Sequence, residues 1–552
     1  MKQVTCLLMF CMLGSGVRAG PVGDWPAETH WRAASASSEM AGYSFSKVQR
    51  WLREVALKRV DPETGLYRGN WIWSYADAAA DCYPFVVWAA YVTDLDALNG
   101  PVLDMLHAEI RQCNQYGQIP VTWNFKAGRG PVGKQVDDSL EQVFFGASEY
   151  AKDGLTAIIE LLDPRGLGRP WFERLLAIET EMWARADRPS PHGLLPPHDS
   201  AQFPGDQLQV LTRLFSMTRD PQFLEYADRL ALNVLEDETF TLSKLSDHGC
   251  EVIGGLGLWL GVTAELDPVR ARSYLPKLRG VLDSIIERGL NPDGLMLQAL
   301  QDTPGRHEGD LSDGWGYNYV AFLCYDAVAG EKRYEPYVRE ALTSLGQPAY
   351  RDRRWGSVVD PKRNVALVTL DQYADSIEGA LYLLARVREP AGFEWADGEM
   401  ARNVIFSQKP LTETDLWGTS KFESNAVRTV IMHAMLHSGG VLARPWRQGM
   451  GLGAAIVGEQ LALVISVAED WEGQLAFDRP RHRLHMGFDH DWPRMNTVPE
   501  WWAVEPATRY RIRYADGREE FRSGAELSAG LAVRVTPESP LRLVVEPAPA
   551  QR

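Results

Sequence analysis

Cysteine is scarce, with six residues in 552. Two of them, Cys6 and Cys11, lie in the first apolar stretch, and no CxxC pair or Cys/His zinc spacing follows. That excludes a disulfide-stapled scaffold, a thioredoxin-type redox motif and a zinc ribbon. The other four, Cys82, Cys113, Cys250 and Cys324, are far apart in apolar helical contexts and read as buried free thiols. Positive charge is also short. There are 57 Lys and Arg against 73 Asp and Glu, a net charge of −16, with no basic stripe of the kind nucleic acid requires. After the first residues no apolar run reaches the length of a membrane span. Gly449-Met450-Gly451-Leu452-Gly453 lacks the strand–turn–helix setting of a phosphate-binding loop, and GxSxG and HExxH are absent. No cofactor and no metal centre is expected.

What is present is an ordinary globular balance, 45% hydrophobic and 24% charged, with an excess of rings: 19 Trp, 19 Tyr and 18 Phe. Met1-Lys2-Gln3, the apolar run Val4–Leu13 and Gly14–Ala19 describe a signal peptide, residues 1–19, so the mature chain is expected to be exported, periplasmic or secreted. Residues 20–44 read as a linker.

From 45 to 444 apolar residues recur at three and four, as in Val48-Trp51-Leu52-Val55 and Leu275-Leu278-Val281-Leu282-Ile285. A repeated signal punctuates them. A helix ends, a loop brings Gly and then an apolar residue, an acid follows, and a second helix starts. Asp61–Tyr67 leads to Asp77, Tyr116–Pro120 to Asp137 and Asp138, Pro191–Leu195 to Asp199, Asn291–Met296 to Asp313, and Arg354–Val358 to Asp371. Weaker copies sit near Phe240–Asp247 and Trp417–Glu423. The expected fold is mainly α, an (α/α) toroid of six or seven helical hairpins. A single hairpin cannot bury its own face, and a closed ring needs no polar capping repeats. Residues 445–552 are expected to form a small β-sandwich, with strands at Ala454–Val467, Gly473–Phe477, Thr508–Tyr514, Leu531–Val535 and Leu541–Val545.

The second helix of each hairpin carries acids on one face. Asp77 and Asp81 are i, i+4, as are Asp247 and Glu251, with His248 beside them. Asp138, Glu141 and Glu149 share a stripe; Asp371, Asp375 and Glu378 sit at i, i+4, i+7; Asp313 and Tyr317 are i, i+4. An N-cap or first-turn charge accounts for Asp77 and Asp199 alone. It does not account for Glu149 or Glu378, which lie inside helices, although Lys152 offers Glu149 a partner. With Trp71, Trp73, Trp315 and Tyr373 in the same segments, the aggregate suits an oligosaccharide or polysaccharide. Rings stack on sugar faces, carboxylates bond hydroxyls, and a carboxyl pair cleaves the glycosidic link.

On the exported hairpin repeat with its β-domain, and on Phe145–Leu155, Tyr373–Glu378, Arg481-His482-Arg483 and Pro499–Trp502, the chain resembles the (α/α)-barrel carbohydrate-active enzymes. These include uronyl hydrolases and toroid-plus-sandwich polysaccharide lyases. The resemblance implies an enzyme acting on a glycan and transfers no residue role. For a glycoside hydrolase, the leading reading, Asp313 and Asp138 are the acid/base pair with Asp375 in reserve. Tyr317 and His248 orient the sugar, and Trp73, Asp77, Trp315, Tyr373, Glu378, Glu251 and Arg68 bind it. For a polysaccharide lyase, Tyr317 or His248 removes the C5 proton of a uronate, helped by Asn318, with Arg68 or Arg129 at its carboxylate. A non-catalytic glycan-binding protein is the third reading. His482, His485 and His490 with Asp489 and Asp491 match no metal spacing and read as solvated loop residues; alternatively Arg481–His485 packs on the toroid as a cleft wall.

Overall fold

The structure is a computed structural model. It describes residues 25–68, 72–128, 139–198, 202–236, 244–246, 248–302, 309–353, 355, 357–360, 365–368, 370–402 and 420–549. The signal-peptide reading and Trp71, Arg129, Asp138, Asp199 and Asp247 lie outside them.

The longer helices alternate between one buried face and complete burial. Those with one buried face are α1 (Glu28–Trp51), α3 (Leu103–Cys113), α5 (Arg169–Ala184), α7 (Pro221–Glu236), α9 (Pro268–Arg288), α11 (Glu335–Ser344) and α13 (Pro390–Met400). Between them run α2 (Tyr83–Thr93), α4 (Leu140–Glu149, continued by Tyr150–Thr156 and Ala157–Leu161) and α6 (Phe203–Thr218). Then come α8 (Gly249–Leu266), α10 (Trp315–Ala329), α12 (Leu370–Leu384) and α14 (Ser420–Ser438). Of these, α2, α8 and α10 are apolar nearly all round, the pattern of a helix with neighbours on every side. The even-numbered helices pack in a cycle. The wide-turn segment Tyr75–Cys82 ahead of α2 meets the continuation of α4, which meets α6; α6 meets α8, α8 meets α10, α10 meets α12, α12 meets α14, and α14 returns to α2 and Tyr75–Cys82. Helix α8 is apolar enough by length and composition to cross a membrane, contrary to the expectation that no later run is, but it is an inner helix of this ring with 78% of that stretch buried in protein.

The turn signals work through side-chain caps. Asp61 accepts from the backbone of Glu63 (3.1 Å) and Thr64 (2.9 Å), and Gly65 follows at φ +78°. Asn291 repeats the device with Asp293 (3.1 Å) and Leu295 (2.9 Å), and Gly294 takes φ +79°. The expected linker 20–44 is largely α1, whose buried face packs on α14 and on the first strands of the β-region. The four described cysteines are buried, and none of them is in a disulfide.

The β-region has strands β1 (Leu442–Arg444), β2 (Gly451–Val457), β3 (Gln460–Ser466), β4 (Trp471–Ala476), β5 (Arg509–Tyr514), β6 (Glu519–Ser523), β7 (Leu531–Val535) and β8 (Leu541–Pro547). They form an antiparallel sheet of order β2-β3-β8-β5-β6 and another of order β7-β4-β1. The single strand expected over Ala454–Val467 is a hairpin that reverses at Gly458, φ +61°, because a run of small and apolar residues hides a two-residue turn. β1 and β6 escaped the sequence reading, since Leu442–Arg444 is short and Glu519–Ser523 is mostly polar.

The segment 478–505 between β4 and β5 leaves the sheets and runs across the carboxyl-terminal ends of the inner helices. His485 Nδ1 lies 3.0 Å from the Glu160 carbonyl, and Arg213 donates to the Met495 carbonyl at 2.8 Å. Cys324 contacts the Pro493 carbonyl at 3.1 Å, and Arg386 pairs with Asp491 at 2.5 Å. The expectation of solvated loop histidines is therefore corrected for His485, which is buried. Arg481–His485 does pack on the ring, but at its floor, away from the acids.

Candidate functional site

Glu251, Tyr317, Asp206 and Asp77 sit in the first turns of their helical segments and Asp375 in the second turn of α12, while His248 and Asp313 lie one and two residues ahead of α8 and α10. Parallel inner helices thus bring them to one end of the ring, and two clusters form there.

In the first, Lys152 is fully buried and salt-bridged to Glu251 (2.7 Å), Asp153 (2.8 Å), Asp206 (3.4 Å) and Glu149 (4.0 Å). Glu149, the partner expected for it, is the most distant. His248 Nδ1 lies 3.3 Å from Glu149 and 3.6 Å from Glu251, and Phe145 stands edge-on to the His248 ring. These neighbours pull the ionisations apart. Burial, reinforced by Asp206, holds the Glu149 carboxyl well above its ordinary range. Burial also lifts Asp206 to about 6. Burial opposes the charge on Glu251, but Lys152 and His248 outweigh it and bring that group down to about 2. For His248 burial works against the cation, and Glu251 prevails, raising it to about 9. Glu149 is thus driven toward the neutral acid, while Glu251 is held as the carboxylate and His248 as the imidazolium. Two neighbouring carboxyls driven to opposite protonation states are the pattern of an acid–base pair.

In the second cluster the Tyr317 hydroxyl lies 3.0 Å from Asp375 Oδ1 and 2.9 Å from Glu378 Oε2. Arg428 donates to both carboxylates, to Asp375 at 2.8 Å, and Thr429 donates to Glu378 at 2.9 Å. Tyr317 has one hydrogen for two acceptors. Burial raises the Glu378 carboxyl, and a proton there satisfies both contacts. The Asp375 side chain is 24% exposed. The clusters adjoin at Cys250, whose buried thiol feels Glu251, Lys152, Asp313 and Asp375.

Close backbone approach makes both clusters. A Cβ on Gly379, beside Glu378, would lie 2.8 Å from the Cα of Gly316, beside Tyr317. A Cβ on Gly205, beside Asp206, would lie 2.8 Å from the Cα of Val252, beside Glu251.

Among the described residues the expected aromatic platforms are buried. Trp73 and Trp315 are buried with the core, Trp73 against Tyr75 and Tyr83, and Tyr373 is buried with its hydroxyl on the Glu399 carbonyl at 2.9 Å. Ring counting does not distinguish a core Trp from a sugar platform. Arg68 is committed to Asp61 at 3.2 Å and stacks on Phe125. Asn318 is buried and donates to the carbonyls of Leu245 (2.8 Å) and Gly314 (3.0 Å). Asp77 accepts from Ser74 at 3.2 Å and is an acid in the first turn of its segment, whose N-cap is Ser74. Asp313 accepts from Gly314 N at 2.9 Å and is partly exposed.

Asp206, Arg428 and Asn496 were missed. Asp206 follows Pro204-Gly205 in the first turn of α6, and Arg428 sits mid-pattern in α14. Asn496 comes from the floor segment, where it holds a left-handed φ of 57° and donates to Asp153 at 2.5 Å. The signal available for the first two was an ionisable residue inside an otherwise apolar helix.

No protein-family model matches the chain, and no curated protein matches it. Among solved structures it is similar to a family 76 glycoside hydrolase from a bovine Bacteroides thetaiotaomicron strain, at 11% identity and TM-score 0.38, over 59% of this chain and 75% of that one. It is similar to a GH127 beta-L-arabinofuranosidase from Geobacillus stearothermophilus T6, at 10% identity and TM-score 0.38, over 91% and 76%. It is also similar to a cellobiose 2-epimerase from Spirochaeta thermophila DSM 6192, at 12% identity and TM-score 0.38, over 74% and 99%. No residue role is carried over from them.

Proposed function

We propose that the chain is an exported glycoside hydrolase that cleaves a neutral oligosaccharide or polysaccharide at the acidic mouth of a seven-hairpin toroid, with a β-sandwich behind it. Asp375 and Asp313 are its reacting carboxyl pair. The observation that carries this reading is the setting of Asp375: held by Arg428 and Tyr317, and partly open to solvent at the mouth. Asp375 activates water or attacks the anomeric carbon, and Asp313 protonates the leaving oxygen. Glu378, Tyr317 and Arg428 fix the Asp375 carboxylate, and the Lys152 cluster sets the charge beside it. Lys152, Arg428 and His248 already face Glu251, Asp375 and Glu251 in turn, which favours a neutral sugar over a uronate.

The lyase reading fares worse on its base. Burial and the Asp375 and Glu378 charges hold the Tyr317 hydroxyl well above its ordinary range, and His248 is protonated up to about 9. Neither takes a proton at neutral pH.

A mass-spectrometric screen of neutral and uronate-containing oligosaccharides, with ultraviolet absorbance in parallel, tests the proposal. Products that gain water and stay transparent are expected from the chain with its amino terminus near Gly20. Asp375→Asn should cut kcat by about 10²- to 10⁴-fold with circular dichroism unchanged. Absorbing products without added water would replace hydrolysis with lyase chemistry, and binding without turnover would leave a glycan-binding protein.

A further inference from the structure

A third ionisable cluster lies away from the mouth. Asp397 on α13 and His433 and His437 on α14 put three ligand atoms together. His433 Nε2 and His437 Nε2 each lie 2.8 Å from Asp397 Oδ1 and 3.2 Å from one another. Hydrogen bonds alone do not satisfy this triangle. With both Nε2 atoms protonated, the ring–ring contact sets two N–H groups face to face. With one protonated toward the other ring, a lone pair faces the carboxylate. A cation at the centre answers all three, and metal–nitrogen bonds of about 2.0–2.1 Å at tetrahedral angles hold two nitrogens about 3.3 Å apart, close to the spacing seen. His437 Nδ1 lies 3.1 Å from Ser37 Oγ of α1; donating there leaves the Nε2 lone pair for a metal. The rival cluster, His482, Asp491 and Glu500, lacks this logic, because Asp491 already holds Arg386 at 2.5 Å and Arg494 at 2.9 Å and a cation there would meet two guanidinium groups.

We propose that Asp397, His433 and His437 form a divalent-cation site of the zinc class that fastens α13 to α14 behind the ring. Two imidazoles and a carboxylate suit zinc and its first-row neighbours, and water completes the shell. The site is structural. His433 is fully buried, the Asp397 side chain is 12% exposed, and His433 and His437 lie five and nine residues past Arg428, about 7 and 13 Å further along the helix from the mouth. Sequence spacing offers two of the ligands, His433 and His437 at i, i+4 on one helix, and the third comes from another helix.

The full chain, stripped with EDTA and dialysed against zinc chloride, should retain one zinc per chain through gel filtration, read by atomic emission. Its Tm should rise by about 2–3 °C over the EDTA-treated chain at zinc a hundredfold above Kd. Cobalt added to the stripped wild-type chain should give the visible absorption bands of a tetrahedral site, a readout that needs no variant. Asp397→Asn and His437→Gln should lose the stoichiometric metal and the Tm response. Zinc below a tenth of an equivalent with no cobalt bands, or undiminished zinc in a folded Asp397→Asn chain, would overturn the proposal.

Discussion

One hydroxyl hydrogen between two carboxylates, and one ammonium among four, set the chemistry of the mouth. Lys152 does not neutralise its neighbours evenly. It stands nearest Glu251 and farthest from Glu149, so burial wins at Glu149 and charge wins at Glu251. His248 completes the asymmetry, and its shift makes a stability statement. Its folded value of about 9 lies above the ordinary 6.5. The contribution is therefore whole below 6.5 and is lost as pH rises through 9. The Tm of the wild type is expected to fall between pH 7 and 9.5 by more than that of His248→Gln; equal slopes in a pH series of thermal melts would contradict the shift. Glu251 runs the other way: with a folded value near 2, it contributes above the ordinary carboxylate range and loses that contribution only as pH falls toward 2.

At the scale of elements, α10 and α12 meet through glycine, and the acids lie one residue away. Gly316 and Gly379 let two backbones touch, so Tyr317 and Glu378 reach each other without spanning a layer of side chains. A methyl group at Gly379 has no flexible neighbour to displace, because Gly316 Cα stands in its place. Gly379→Ala is expected to destabilise by about 1–3 kcal/mol, as overpacking does. It should also lower kcat more than it raises KM, because separating the helices loosens the carboxylate rather than removing a sugar contact. Chemical denaturation and steady-state kinetics on one preparation check both; unchanged kinetics in a destabilised chain would confine the glycine pair to packing.

For the whole molecule, the β-region is joined to the ring by more than a linker. Its segment 478–505 floors the ring, with Trp492 against Gly261 and Met495 against Gly254. Asn496 then reaches up to Asp153, a direct partner of Lys152. A left-handed asparagine in a buried turn is a conformation the surroundings impose. Asn496→Ala is expected to slow turnover by about tenfold, the scale of a lost supporting contact, while Asn496→Asp sets a fifth acid beside Lys152 and should slow it further. Activity that tracks only the Tm of the two variants would reduce Asn496 to a structural role.

The alternation of helices, their turn signals and the presence of acids at the start of the inner ones are legible in the residues alone. Each follows from local rules: a 3.6-residue period, an Asx cap, a glycine at positive φ. Asp375, Glu378, Tyr317, Glu251 and His248 are legible there too as residues of interest, because ionisable groups in apolar helices need partners. Only the tertiary structure decided who those partners are. Lys152 chose Glu251 over its own helix neighbour Glu149, Arg428 crossed from α14 to α12, and Asn496 came from a segment that reads as loop. It also decided that Trp73, Trp315 and Tyr373 belong to the core. The physical reason is common to all of these. Period and caps act within a few residues, whereas ion pairing and burial depend on which distant segments closure of the ring brings within a few ångströms.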